Sequence, residues 1–115
     1  MPGDLPMAQG KNRLKEPIIN QVNIYKKSLL EAGILVKEMI VFGSSTKNFT
    51  HRWNDIDVAV VSPLFGKNYH RELVRLMELR PDAAMDIEPH PFNPRDLVNE
   101  WDPLASEIKK YGIKV

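Results

Sequence analysis

The chain has 115 residues, of which 43% are hydrophobic and none is cysteine. This size and composition predict one soluble domain over residues 16–115, with a disordered leader over residues 1–15. Lys and Arg total 16 against 15 Asp and Glu, and a net charge of +1 gives no basis for broad electrostatic binding to nucleic acid or an anionic membrane. Without cysteine, disulfides, zinc-thiolate sites and thiol nucleophiles are excluded, and a reducing cytoplasm is the expected location.

The first half of the chain predicts a helix and two strands. Glu16-Pro17 is typical of a helix start, and apolar residues at helical spacing continue to the stop signal at Ala32-Gly33. The later half of residues 34–42 predicts a strand ending at Gly43. Ile56 to Val61 is an almost unbroken β-branched run, which indicates a strand buried on both faces and therefore central in its sheet.

The second half predicts two more helices and one or two strands. Tyr69 to Arg80 is predicted to be a helix, Ala83 to Glu88 a short third strand ended by prolines, and Asn93-Pro94 the start of a third helix that runs in pieces towards Tyr111. Gly112 to Val115 is compatible with an edge strand. The order α-β-β-α-β-α predicts an α+β fold with helices packed on a small mixed sheet.

Four small or acidic residues lie at the end of the first predicted strand and at the start of the second. Gly43 and Ser44 end the first strand, and Asp55 and Asp57 begin the second after ten intervening residues. A glycine at a strand end lets backbone N–H groups approach a phosphate, and the serine hydroxyl adds a donor. The two aspartates project from the same face, about 6.6 Å apart by the strand rise, where they can hold one or two divalent ions. Together these residues indicate a nucleotide site.

The pattern G-S-x10-D-x-D resembles the signature of the nucleotidyltransferase superfamily that includes DNA polymerase beta. At average composition it would arise by chance in a chain of this length on the order of once in a thousand sequences. The chain is similar to the small stand-alone members called minimal nucleotidyltransferases, over residues 18–115. Lys47 occupies the usual basic position of the loop, where it is expected either to contact the triphosphate or to be a solvated loop lysine. Asn48 and Asn54 depart from the usual Gly and Ser.

A third carboxylate is required to bind metal and to accept the proton of an attacking hydroxyl. Glu88 and Asp86 both qualify, and the resemblance favours Glu88 because it directly precedes the Pro-His-Pro segment. His90, between Pro89 and Pro91, is expected to be a packing residue, with an orienting or nucleotide-contacting role as the alternative.

The resemblance implies an enzyme that uses Mg²⁺, with two ions expected, and ATP or another nucleoside triphosphate. It would transfer a nucleoside monophosphate to a hydroxyl, with Asp55, Asp57 and Glu88 as catalytic and metal-binding residues and Gly43, Ser44 and Lys47 as nucleotide-binding residues. Minimal nucleotidyltransferases commonly act as antitoxins beside a helical HEPN-type partner and can modify its tyrosine with AMP. The alternative is a non-catalytic module that keeps the fold and neutralises a partner by binding alone. The acceptor, the base preference and the oligomeric state, a homo-oligomer included, stay open.

Overall fold

The computed structural model describes residues 14–46 and 55–115 of the chain. Three α-helices and four strands follow in the order α1 Glu16–Glu31, β1 Glu38–Phe42, β2 Ile56–Val61, α2 Tyr69–Glu78, β3 Ile87–Phe92, α3 Pro103–Tyr111 and β4 Ile113–Lys114. Short 3₁₀ segments cover Gly43–Thr46, Asp82–Ala84 and Pro94–Val98. The predicted α+β fold class is therefore confirmed, as is β2 with its predicted bounds.

The four strands form one mixed sheet in the order β3-β2-β1-β4. β1 is antiparallel to both β2 and β4, whereas β2 and β3 are parallel. β2 therefore lies between two partners, and five of its six residues are buried. This confirms the central position that its apolar sequence predicted, and the edge strand expected after Gly112 is β4.

Alternation along β2 divides the core into two layers. Ile56, Val58 and Val60 face the larger cluster, which also contains buried residues of α1 and α2. Ala59 and Val61 face a smaller cluster that includes Ile108 of α3. Helices thus cover both faces of the sheet, and Asp57 belongs by alternation to the α3 face.

The third strand differs from its predicted bounds. The sequence predicted a strand over Ala83–Glu88, but Asp82–Ala84 is a 3₁₀ segment, and β3 runs through Pro89 and Pro91 as Ile87–Phe92. The two prolines were interpreted as the end of the strand, and this interpretation was wrong.

The position of β3 in the sheet explains why prolines are tolerated there. The Phe92 carbonyl accepts a hydrogen bond from Ser62 N–H at 2.9 Å, so in a parallel ladder Phe92 and every second residue before it direct their backbone groups toward β2. Pro89 and Pro91 occupy the alternate positions, which face the outer edge of the described sheet. No ladder hydrogen bond needs their missing N–H groups.

The third predicted helix is divided into pieces, as the sequence predicted. Asn93 caps the 3₁₀ segment Pro94–Val98 in a reciprocal capping box with Asp96. The α3 helix begins at Pro103, with Asp102 accepting from Leu104 N–H. Within the described residues, none of the helices is long and apolar enough to cross a membrane.

Most of the predicted leader, residues 1–13, lies outside the described residues. Leu14 is described, and its side chain is buried in the larger cluster.

Candidate functional site

The site begins where β1 ends beside the start of β2. The antiparallel register pairs Phe42, the last residue of β1, with Asp57, so Gly43 follows directly next to the Asp57 side chain. Gly43 has φ +78°, and a Cβ built on it would lie 2.6 Å from Asp57 Oδ2. A glycine is required here both for the left-handed backbone and for the space that the carboxylate occupies.

β3 adds two further polar side chains to the same face. The parallel register pairs Asp57 with Glu88, and His90 lies two residues later on the same side of the strand. The His90 Nε2 atom is 3.1 Å from Asp57 Oδ1 and 3.8 Å from Glu88 Oε1. Asp57, Glu88 and His90 each offer a ligand atom, and these atoms all lie within 4.8 Å of one another.

The two carboxyl groups are coupled electrostatically. Burial acts to raise the pKa of Asp57, but hydrogen bonds with His90 and Glu88 outweigh it and hold that pKa below its ordinary value. The hydrogen bond with Asp57, then burial and the charge of Asp57, raise the pKa of Glu88. Asp57 therefore loses its proton before Glu88 as the pH rises, and the two carboxylates repel each other once both are ionised.

Two carboxyl groups placed this close together favour a positive charge between them. Carboxylate oxygens are the ligands that Mg²⁺ prefers, and an imidazole is compatible with Mn²⁺ or Zn²⁺ as well. A divalent cation held by Asp57, Glu88 and His90 would relieve the repulsion between the two carboxylates. The described residues therefore fit a divalent metal.

His90 was expected from the sequence to be a packing residue, but in the structure it also belongs to the site. Its ring does pack, with its centroid 5.0 Å from that of Phe42 in an edge-to-face arrangement, but its Nε2 atom also contacts the carboxylates. The signal was its two-residue spacing from Glu88, which places both on one face of a strand. That signal was lost because Pro89 was assigned to the end of β3.

Asp86 and Asp55 lie beside the group rather than in it. Asp86 is in the turn before β3, where its Oδ2 atom accepts a hydrogen bond from Gln21 Nε2 at 2.9 Å. Asp55 is an exposed residue just before β2, and its charge contributes to the raised pKa of Glu88. The structure thus brings Glu88, and not Asp86, against Asp57, while the role of Glu88 in catalysis stays a prediction.

Two predicted nucleotide-binding residues are described in part or not at all. Ser44 belongs to the 3₁₀ segment that follows Gly43, and its side chain is outside the described part of the structure. Lys47 falls in residues 47–54, which are also outside it.

The nucleotidyltransferase domain family matches residues 22–114, which include every strand of the sheet. The chain belongs to this family. Comparison with curated proteins finds no match. The general activity that the family defines is nucleotidyl transfer, and the resemblance seen in the sequence is confirmed at that level.

Proposed function

We propose that the protein is a magnesium-dependent nucleotidyltransferase that takes AMP from ATP and transfers it to a hydroxyl group of an acceptor. The observation that supports this proposal is the meeting of Gly43, Asp57 and Glu88 at neighbouring ends of β1, β2 and β3. Gly43, which has no side chain, lies on one side of Asp57, and a second carboxylate, that of Glu88, lies on the other.

Asp57 and Glu88, together with Asp55, are the residues that would hold the metal ions. When bound, Mg²⁺ would neutralise the phosphate charge and lower the pKa of the acceptor hydroxyl. The backbone at Gly43 and the Ser44 hydroxyl are proposed to bind the triphosphate. His90 holds Asp57 in place through its 3.1 Å contact with Oδ1.

The proposed transfer is a displacement at the α-phosphorus of ATP. The acceptor oxygen forms a bond to that phosphorus, the bond between the α-phosphorus and the bridging oxygen breaks, and pyrophosphate leaves. The acceptor proton passes to the Glu88 carboxylate, which then returns it to water.

The proposed acceptor is a tyrosine of a helical HEPN-type partner, with the chain acting as its antitoxin. This part of the proposal comes from the resemblance to minimal nucleotidyltransferases. The direct test is incubation of the chain with labelled ATP, Mg²⁺ and the helical protein encoded beside it. Label on the partner, together with pyrophosphate release, is the expected result.

Two variants make the test specific to the site. Asp55→Asn combined with Asp57→Asn should abolish labelling. Asp82→Asn combined with Glu100→Gln removes two exposed carboxylates elsewhere and should leave labelling intact. A tight complex without label would favour the non-catalytic module, and transfer that survives the first double variant would remove these carboxylates from the mechanism.

A further inference from the structure

His90 brings a nitrogen atom into a site that is otherwise built from carboxylates. Its side chain is only 21% exposed, and its Nε2 atom lies 3.1 Å from Asp57 Oδ1. The same nitrogen is 3.8 Å from Glu88 Oε1, and the ligand atoms of all three residues are within 4.8 Å of one another. The imidazole nitrogen therefore faces the same space as the two carboxylates.

The surroundings of His90 fix the orientation of its ring. A residue that precedes proline is confined to extended backbone conformations, so Pro91 holds His90 in the strand. Alternation along β3 then places its side chain on the same face as that of Glu88. The ring also packs edge to face on Phe42, with centroids 5.0 Å apart. The imidazole is thus oriented before any ion binds, and a preorganised ligand loses little entropy on binding.

The distances among these atoms suit direct coordination of an ion. In an octahedral site with bonds of about 2.1 Å, neighbouring ligand atoms are roughly 3.0 Å apart, and the distance between His90 Nε2 and Asp57 Oδ1 is 3.1 Å. Glu88 is further away, but its side chain is exposed and can rotate. Because the three ligands come from one face of two neighbouring strands, the other positions around the ion stay open to water or phosphate oxygens.

An imidazole ligand changes which metal such a position prefers. Mg²⁺ favours oxygen ligands, whereas imidazole nitrogen suits divalent transition metals such as Fe²⁺, Ni²⁺ and Zn²⁺. Asp55, which lies outside the group of three, offers oxygen atoms alone. The two ion positions expected around Asp57 are therefore chemically unequal, because one includes nitrogen and the other does not.

We infer that Asp57, Glu88 and His90 form a transition-metal position in which His90 Nε2 is a direct ligand, while Mg²⁺ is used at the oxygen-only position of Asp55 and Asp57. The inference rests on the proposed function for the use of two ions, and it adds a nitrogen ligand and the class of one metal. In the metal-free structure Nε2 contacts Asp57. When the metal binds, the nitrogen exchanges that contact for the ion.

Electron spin-echo envelope modulation of bound Mn²⁺ tests the ligand directly, because a coordinated imidazole nitrogen modulates the echo. The full chain, without a histidine tag or nucleotide, is mixed with sub-stoichiometric Mn²⁺. We expect ¹⁴N modulation in the wild-type protein, replaced by that of ¹⁵N after labelling with ¹⁵N-histidine. His90→Gln and His90→Phe should both lose it. The first keeps a hydrogen-bond donor for Asp57 and the second keeps a ring against Phe42, so neither structural role explains a loss in both.

The matched control removes the other two of the three histidines. His70 is an exposed residue of α2, and His51 lies outside the described residues. The double variant His51→Gln, His70→Gln leaves His90 as its one histidine and should keep the nitrogen modulation. This variant identifies the ligand even if the His90 variants fail to fold.

Calorimetric titration with CoCl₂ and with MgCl₂ measures the metal preference. His90→Gln should weaken Co²⁺ binding by roughly tenfold or more, at least the loss caused by removing an outer-shell partner of a ligand. It should change Mg²⁺ binding much less, because oxygen ligands and water satisfy that ion. A residue that only positions Asp57 would weaken the binding of both metals alike.

Three results would overturn the inference. Mn²⁺ could bind to the wild-type protein without nitrogen modulation, the modulation could persist in the His90 variants or be lost in the double histidine variant, or Co²⁺ and Mg²⁺ binding could weaken equally in His90→Gln. In each case the metal site and the proposed function would stand without His90 as a ligand.

Failure of the proposed function gives a different pattern. Nitrogen modulation from His90 without any pyrophosphate release from ATP would support the inference and contradict the proposed transfer. If the wild-type protein binds neither Mn²⁺ nor Co²⁺ and releases no pyrophosphate, the proposed function and the inference are both wrong.

Discussion

Gly43 is the residue at which backbone conformation and site chemistry depend on each other most closely. Its φ of +78° and the 2.6 Å between a built Cβ and Asp57 Oδ2 leave no room for a side chain. Gly33 has a similar φ of +88°, but a Cβ there would meet no atom within 4 Å. A comparison of substitutions at the two glycines therefore separates the strain that a side chain causes in the backbone from the damage that it does to the site.

We expect Gly43→Ala and Gly33→Ala each to lower the free energy of unfolding by about 1–2 kcal/mol, because alanine is strained at positive φ. Gly43→Ala should lose somewhat more, since its methyl group displaces the Asp57 carboxylate. Only Gly43→Ala should lose the stabilisation by Mn²⁺. Urea denaturation with and without Mn²⁺ measures both effects, and an equal response of the two variants to the metal would contradict the assigned contact.

The identity of the third carboxylate is tested by Glu88→Gln and Asp86→Asn. Glu88→Gln should reduce the transfer rate by orders of magnitude, because a neutral amide attracts the cation weakly and cannot accept a proton. Asp86→Asn should cost much less, since Asp86 accepts from Gln21 in the turn before β3. Single-turnover rates with labelled ATP provide the comparison, and the reverse order of effects would transfer the role to Asp86.

The raised pKa of Glu88 makes a separate prediction for the metal-free protein. A carboxyl whose pKa is higher in the folded state stabilises the fold below its unfolded pKa, and that stability is lost as the pH rises through the folded value. Glu88→Gln cannot ionise. It should therefore match wild type below pH 4.5, the ordinary glutamate value, and exceed its stability once the pH has passed the raised pKa.

The gain in the free energy of unfolding of Glu88→Gln over wild type should stay below about 1 kcal/mol. The Glu88 side chain is 60% exposed, so solvent screens its charge. His90 and Asp55 also act on Glu88, the first lowering and the second raising its pKa, and both remain in the variant. Urea denaturation in a chelator, at pH values from acid to neutral, measures the difference. Glu100→Gln, at an exposed residue, is the control, and an equal pH-dependent gain in both variants would remove the Asp57 contact as the cause.

At the scale of elements, a segment could be predicted when its own residues determine its structure. It could not be predicted when its structure depends on its position in the sheet. The α1 helix and β2 could be predicted because apolar spacing and β-branched runs are local signals. The bounds of β3 could not be predicted. Prolines such as Pro89 and Pro91 would end a central strand, but they are tolerated in a parallel strand at the edge of a sheet, and a single sequence does not show which strand lies at the edge. The inclusion of His90 in the site was lost for the same reason, whereas Glu88 was named from the resemblance.

The end of α2 is held by side chains of α1, which its own sequence does not show. Tyr25 Oη donates to Leu76 O at 2.6 Å and Ser28 Oγ donates to Leu79 O at 2.7 Å. Carbonyls in the last turn of a helix have no partner within it, so these two hydroxyls satisfy groups that would otherwise need another partner. The two hydrogen bonds also hold the end of α2 against α1.

Tyr25→Phe should lower the free energy of unfolding by about 1–2 kcal/mol, because the Leu76 carbonyl loses its partner in a buried setting. Burial, partly offset by the charge of Arg80, raises the pKa of Tyr25 well above its ordinary value, so the neutral hydroxyl is present at every relevant pH. Tyr111→Phe, at an exposed residue of α3, should have almost no effect. Equal midpoints for the two variants in urea denaturation would show that the hydrogen bond contributes nothing net.

At the scale of the whole molecule, the candidate site is joined to the core through the sheet. The strand that carries Asp57 also supplies apolar residues to both clusters, and the register that brings Glu88 to Asp57 is that of the β2 and β3 pair. Unfolding of the sheet therefore separates the carboxylates. A cation held between them should bind the native state and not the unfolded chain.

We therefore expect millimolar Mg²⁺ or Mn²⁺ to raise the melting temperature by several degrees, and more when ATP is present. A ligand that binds only the native state adds about 1 kcal/mol when its concentration is about five times its dissociation constant, and that amount shifts the melting temperature of a domain near this size by roughly 4–8 °C. In the Asp55→Asn, Asp57→Asn variant the metal-dependent rise should disappear. Its metal-free melting temperature should not fall, because the repulsion with Glu88 is also removed.

The Asp82→Asn, Glu100→Gln control should respond to metal as wild type does. A shift that persists in the site variant would mean that the ion binds elsewhere, and no shift in the wild-type protein would count against a metal site at these carboxylates.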